Sequence, residues 1–240
     1  MATSYADLSR ALLAQYAVLV TALATLDPAG PTDCEGWTLE DLETHIAITA
    51  RGLARIASKD TPGPADGGGV AEWAAKLPAI AEQMDAGAKG ERLKLADQVP
   101  LVEAALEQPG DKVVEQLTGR HTLRDATAFR LVEAVVHGLD AGVAPDRKAL
   151  KVVVKELAEA VALRYPGMSV EVRIPPHAAV QCVAGPRHTR GTPPNVVETD
   201  GVSFVRLVAG RERWADLVAD GRVRASGERS DLSGLLPLLG

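Results

Sequence analysis

The chain has little of what usually announces a function. Its 240 residues hold two cysteines, Cys34 and Cys182, far apart and outside any Cys-x-x-Cys pair. That excludes both a thiolate zinc site and a disulfide framework. Aromatic residues make up only 3%, so alanine, leucine and valine must fill the interior, which favours helices packed closely through small side chains. Positive charge is not in excess. The formal net charge of -6 and a pI near 5.4 leave no electrostatic footprint for nucleic acid or an anionic membrane. No apolar run approaches the ~20 residues needed to span a bilayer. The stretch Met1 to Asp7 lacks the basic segment and apolar core of a signal peptide, so a cytoplasmic location is expected. Gly67-Gly68-Gly69 lacks the Lys-Ser/Thr that would follow in a phosphate loop.

What is present reads as a globular protein, with 46% hydrophobic and 24% charged residues. The length suits one large domain or two ordinary ones. Helical spacing predicts a first helix over Ser4 to Leu26 (Leu8, Leu12, Tyr16, Leu19, Leu23) and a second from Thr38 to about Ile56, capped by Thr38 with Asp41 in its first turn. A third region, broken near Pro78, covers Val70 to Gly87. Val99 to Gln108 is expected to be helical with Pro100 in its first turn. Another helix is expected from Thr122 to Asp140. After Val143-Ala-Pro145 the pattern changes to a helix over Asp146 to Arg164, then strands over Ser169 to Ile174, Ala178 to Val183 and Asn195 to Thr199. A helix (Val202 to Ala219), a strand (Arg222 to Ala225) and a terminal helix (Ser230 to Leu239) complete the reading. The class is α+β, with a domain boundary near residue 144.

Within Arg130-Leu-Val-Glu-Ala-Val-Val-His-Gly-Leu-Asp140, Glu133 and His137 rise from one helix face a turn apart. Both sit among Leu131, Val132, Val135, Val136 and Leu139, where neither is an obvious choice. His45 supplies a third ligand. Thr38-Leu-Glu-Asp41 and Thr122-Leu-Arg-Asp125 form an internal echo. Counted from its own threonine, His45 shares one helical phase with Glu133 and His137. Two imidazoles and a carboxylate from two helices match an open catalytic zinc site, although such donors also take nickel, iron or cobalt. The bland alternatives are a core imidazole bonded to a backbone carbonyl, and an ordinary ion pair of Glu133 with Arg130 or Arg51. His121, His177 and His188 are expected to be exposed, Cys34 to be a buried inert thiol, and Trp37 to pack where the second helix begins. Asp140 is placed to orient His137 or to cap the helix end.

Asp33-Cys-Glu-Gly-Trp-Thr-Leu-Glu-Asp-Leu-Glu-Thr-His45 and the Arg130 to Asp140 segment together resemble the mycothiol-dependent maleylpyruvate isomerase family. The stretch from Gly221 to Leu232 resembles the smaller domain, distantly similar to sterol-carrier proteins, that accompanies it. The resemblance implies a DinB-like, metal-binding four-helix bundle over residues 1–144 and an α+β sterol-carrier-like domain over 145–240. It implies a divalent metal, usually zinc, on His45, Glu133 and His137. Mycothiol would be the thiol cosubstrate, for cis–trans isomerisation of a maleylpyruvate-type substrate or for S-transfer to an electrophile. It further implies a substrate-anchoring arginine from the C-terminal domain, for which Arg211 is preferred over Arg206, Arg213, Arg222 and Arg224. Partners are then small molecules, with no nucleic acid or membrane, for a monomer or small homo-oligomer. The competing expectation is an apolar-ligand binding protein with a structural metal, motivated by the apolar tail Leu232 to Leu239.

Overall fold

The first helix begins on a serine and the next long one on a threonine, each satisfying N–H groups that a helix start leaves free. In the computed structural model, which describes residues 3–186 and 194–239, α1 (Tyr5–Leu23) starts where Ser4 Oγ accepts from the Asp7 amide. The next helix, α2 (Leu39–Ala57), starts in a reciprocal capping box between Thr38 and Asp41. The Thr38 amide in that box is the main reason the Asp41 carboxyl is held below its ordinary value. Then come α3 (Val70–Ala74), a 3-10 turn (Leu77–Ile80), α4 (Ala81–Gly90) and α5 (Leu95–Ala105). A hairpin of β1 (Val113–Gln116) and β2 (Gly119–Thr122) leads into α6 (Leu123–Asp140), whose first turn is capped by Thr122 accepting from the Asp125 amide. Both copies of the Thr-Leu-x-Asp echo therefore cap helices. A cap fixes which later residues come round to the interior, since each position advances by ~100°.

The chain divides into two compact units, Met1–Ala149 and Leu150–Gly240. In the first, α1, α2, α5 and α6 form a four-helix bundle in which α2 packs on α5 and α6, and α1 packs on α6 and α5. By length and composition α1 is apolar enough to cross a membrane, contrary to the expectation that no such run exists. Its apolarity is used in the bundle, where Leu8, Leu12, Tyr16 and Leu19 are fully buried. Gly138 lets α1 and α6 approach closely beside His137, because a Cβ there would lie 3.1 Å from both Gln15 Nε2 and a Leu19 methyl. Trp73 of α3 stacks flat on Phe129 of α6, with ring centroids 5.0 Å apart and planes 3° apart.

Two local expectations fail in this unit. Helix α5 starts at Leu95, so Pro100 lies in its interior and withdraws the N–H that would have met the Ala96 carbonyl. The β1–β2 hairpin was not foreseen. Its strands are four residues each, Val-Val-Glu-Gln does not alternate, and the tight connection relies on Gly119 at φ +122°. The hairpin also buries His121 completely, where exposure was expected. Its ring nitrogens sit 2.9 Å from Gly68 O and 3.1 Å from Thr118 Oγ1, so the imidazole is satisfied where it is.

In the second unit, α7 (Arg147–Arg164), which starts just before the division, is followed by β3 (Val170–Ile174), β4 (Ala178–Cys182), β5 (Val196–Thr199), α8 (Gly201–Val208), α9 (Trp214–Ala219) and β6 (Val223–Ser226). The sheet order is β4-β3-β5-β6, with β3 and β5 parallel and the other pairs antiparallel. Val170, Val172 and Ile174 turn one face of β3 inward. The single helix expected over Val202 to Ala219 ends at Val208. Gly210, at φ +71°, and Arg211 turn their amides back to the carbonyls of Leu207 and Arg206, which closes the helix. The expected terminal helix is a series of turns instead. Pro237 has no N–H to offer, and the amides of Leu238 and Leu239 are both spent on Val208 O. The apolar tail Leu232 to Leu239 that motivated the apolar-ligand reading is thus present as turns docked on the end of α8. His177 is half-buried, and His188 lies outside the described residues.

Candidate metal centre

Helices α2 and α6 turn His45 and His137 toward one another, with ring centroids 4.8 Å apart and planes at 78°. The indole of Trp37 lies against both, 5.1 Å from His45 and 6.2 Å from His137, where the rings stack at 25°. Two bonds hold Trp37 in that position. Its Nε1 donates to Asp85 Oδ1 of α4 at 2.7 Å, and the Asp33 amide donates to Asp140 O, tying the preceding loop to the end of α6. Trp37 therefore covers the imidazole pair and does more than pack at a helix start.

His45 is 3% exposed, and its Nε2 has no hydrogen-bond partner. Burial pushes its pKa well below the ordinary 6.5, and the charges of His137 and Arg130 act in the same direction. The ring is thus neutral, which is the form that ligates a metal. The sign of the resulting pH effect follows. Below 6.5 the unfolded chain takes up a proton at this position that the folded chain refuses. Stability is therefore level above about pH 6.5 and falls with acidification at about 1.4 kcal/mol per pH unit, until the folded value is reached. Urea unfolding of chelator-treated protein at pH 7.5 and 5.5 should show this loss, and His45→Asn should remove it. An equal loss in the variant would mean that other groups carry it.

His137 is fixed differently. Its Nδ1 lies 3.0 Å from Asp140 Oδ2, a carboxylate with no exposed side-chain surface, and Nε2 lies outside that contact. Asp140 thus orients His137 as its spacing suggested. Cys34 joins them: Sγ donates to the same Asp140 oxygen at 3.1 Å and lies 3.7 Å from His137 Nδ1. It is half-buried and beside the imidazole, where a buried inert thiol was expected. No local signal reveals this, because Cys34 and His137 are 103 residues apart.

Glu133 is 7% exposed and paired with Arg130, whose Nη1 is 2.8 Å from Glu133 Oε2. Arg51 is taken by Glu91 instead. The Arg130 contact is an ion pair without aligned hydrogen bonding, since Glu133 Oε2 and Arg130 Nε both lack a bonded partner. Among the described residues, the set whose ligand atoms all lie within 4.8 Å of one another is Cys34, His137 and Asp140. The trio His45, Glu133 and His137 is adjacent but not drawn to that spacing, with Glu133 held by Arg130. The two sets share His137 and differ in what is left unspent. In the first, Sγ and Nδ1 both already face Asp140; in the second, His45 Nε2 has no hydrogen-bond partner and Glu133 Oε2 meets Arg130 as an ion pair without a hydrogen bond. Buried polar atoms without partners are costly and mark a missing one. His45 Nε2 is thus a buried ring nitrogen beside His137 that is left without a partner.

A cavity of about 870 Å³ opens onto this place, lined by His45, Arg130 and Glu133 together with apolar side chains such as Ile48, Leu53, Ile56 and Trp73. Six buried side-chain polar atoms lack a partner among the described residues, and four of them belong to His45, Gln116, Arg130 and Glu133, which all line this cavity. A fifth, the Tyr16 hydroxyl, has its pKa raised chiefly by burial, with the charges of Arg130 and Glu133 also felt there. Arg211 belongs to the second unit, half-buried after α8, with Nη1 donating to Ala209 O at 3.2 Å.

Residues 9–142 match the family model of the mycothiol maleylpyruvate isomerase N-terminal domain, and residues 146–238 match that of the bacterial SCP ortholog. Among curated proteins no relative matches the chain. Crystal structures of the mycothiol-dependent maleylpyruvate isomerase and of a histidine-to-alanine mutant of it are similar to this chain in fold. Identities are 19% and 18% and TM-scores 0.57 and 0.58, and the similarity covers 93% of this chain and 95% of theirs.

Proposed function

The chain belongs to the family of the mycothiol maleylpyruvate isomerase N-terminal domain, and from that premise we propose that it is a metal-dependent enzyme acting on a low-molecular-weight thiol and an electrophile. His45, Glu133 and His137 would hold a divalent cation, zinc being the ion their chemistry suits, and mycothiol would be the thiol. The observation that carries this reading is that His45 Nε2, buried without a hydrogen-bond partner, and the Glu133 carboxylate, ion-paired but not hydrogen-bonded, share the wall of one cavity.

An ion in such a set supplies acidification of a bound thiol or water and polarisation of a carbonyl. The chain's own residues do the rest. Burial keeps His45 neutral and so able to donate its lone pair. Asp140 holds the His137 ring in one orientation, and Trp37 covers both rings from one side. Apolar side chains such as Ile48, Leu53, Ile56 and Trp73 line part of the cavity beside these donors. In isomerisation the thiol sulfur adds to a conjugated double bond, the former double bond rotates, and the sulfur leaves unchanged. In S-transfer it remains attached to the electrophile. Maleylpyruvate, named for the similar solved structures, is the first electrophile to try. The family resemblance implies an anion anchor at Arg211 of the second unit, which maleate titration of Arg211→Met tests.

The test is direct. Protein purified without chelator should carry about one divalent ion per chain and should consume or isomerise substrate in a thiol-dependent way with mycothiol and maleylpyruvate. A folded chain that takes up no zinc, or that binds zinc and leaves every electrophile of a varied panel untouched, would sink the proposal.

A further inference from the structure

Arg130 has the feature the proposed function leaves unused. It is 11% exposed in its side chain, its ion pair is to Glu133, and its Nε has no partner. If Glu133 ligates a cation, as the reading above requires, its charge is no longer available to Arg130. A buried guanidinium would then face the cavity without a counter-charge, which is strongly unfavourable unless an anion arrives. The other cavity arginines are not in this position. Arg51 already holds Glu91 through two hydrogen bonds, and Arg55 is exposed. Gln116 Nε2, also buried and unspent, lines the same cavity and is a second N–H donor. A planar guanidinium fork with an amide donor matches a carboxylate.

We propose that Arg130, with Gln116 as a second donor, anchors a carboxylate of the electrophilic substrate beside the metal site, and that Arg130 becomes free to do so when Glu133 turns to the metal. This rests on the metal reading of His45, Glu133 and His137. It makes the site selective for anionic electrophiles and makes metal and carboxylate binding mutually reinforcing.

The probe is maleate, a small cis-dicarboxylate, titrated calorimetrically into the full chain with zinc content measured on the same samples. Zinc-loaded wild type should bind maleate more tightly than chelated wild type. Arg130→Met should keep its zinc and weaken maleate by roughly ten- to a hundredfold, the range for a charge-assisted hydrogen bond. Arg130→Lys, which keeps the charge and loses the fork, should fall between. In metal-free protein Glu133→Gln releases the guanidinium without any ion and should bind maleate more tightly than metal-free wild type. Unchanged maleate affinity in Arg130→Met overturns the proposal. So does loss of zinc in that variant, which would make Arg130 a positioning residue for Glu133, or loss of maleate binding in Arg211→Met alone, which would move the anchor to the second unit. Failure of wild type to take up zinc falls on the metal reading instead. The Glu133→Gln arm decides the role of Arg130 even then, because it needs no metal.

Discussion

Replacing His137 by alanine is expected to lower bound metal from about one ion per chain to none and to cut thiol-dependent turnover by roughly a thousandfold. The magnitude follows from the several kcal/mol of charge stabilisation that a metal ion contributes in such sites. His45→Ala should behave alike, because each ring contributes one nitrogen and neither can replace the other across the 4.8 Å between their centroids. Asp140→Asn should be milder. It keeps the shape of the contact to His137 Nδ1 and removes the charge, so metal affinity should fall by about ten- to a hundredfold. Cys34→Ser separates the two donor sets. If His45, Glu133 and His137 hold the ion, this variant keeps its metal. Loss of metal in Cys34→Ser together with full retention in His45→Ala would instead assign the site to Cys34, His137 and Asp140. Elemental analysis beside circular dichroism decides this without any substrate.

The largest effect on stability is expected at Trp73. This ring is 2% exposed, stacks on Phe129, and forms part of the cavity wall. Phe129 in turn meets the edge of the buried His121 at 4.9 Å. Truncation to alanine removes a large apolar surface, leaves a void that the stacked partner cannot fill, and loosens the seat of His121. The expected cost is about 3–5 kcal/mol, which is a large share of the ~5–15 kcal/mol that stabilises a typical domain. Urea unfolding should show the midpoint moving sharply down, whereas Trp73→Phe, which keeps a ring, should recover most of the loss. A cost below about 1 kcal/mol would show that the α3 segment packs only loosely on α6.

Much of the helical bundle is legible because its signals are local. Thr38 with Asp41 and Thr122 with Asp125 are short-range devices, readable as caps from spacing alone. Once the start of a helix is known, the 3.6-residue period dictates that His45, Glu133 and His137 share a phase. The closing of α8 at Gly210 was equally local in chemistry, whereas the unwound tail is held by the distant Val208 carbonyl. They were missed because apolar runs such as Leu235 to Leu239 read the same in a helix and in packed turns. The buried histidine of the hairpin was beyond reach for another reason. His121 is satisfied by Gly68 and Thr118, and the Gly68 contact spans 53 residues of sequence.

By itself, then, the sequence determined the long helices of the bundle, the capped starts of α2 and α6, and the shared helical phase of His45, Glu133 and His137. These depend on neighbours a few residues apart. The tertiary structure decided everything that depends on distant chain segments meeting. It set Trp37 over both imidazoles and Cys34 against Asp140, chose Arg130 over Arg51 as the partner of Glu133, and opened a cavity onto His45. The physical reason is that hydrogen bonding and ion pairing act over a few ångströms in space. Which groups come within that reach is settled only when the helices have packed.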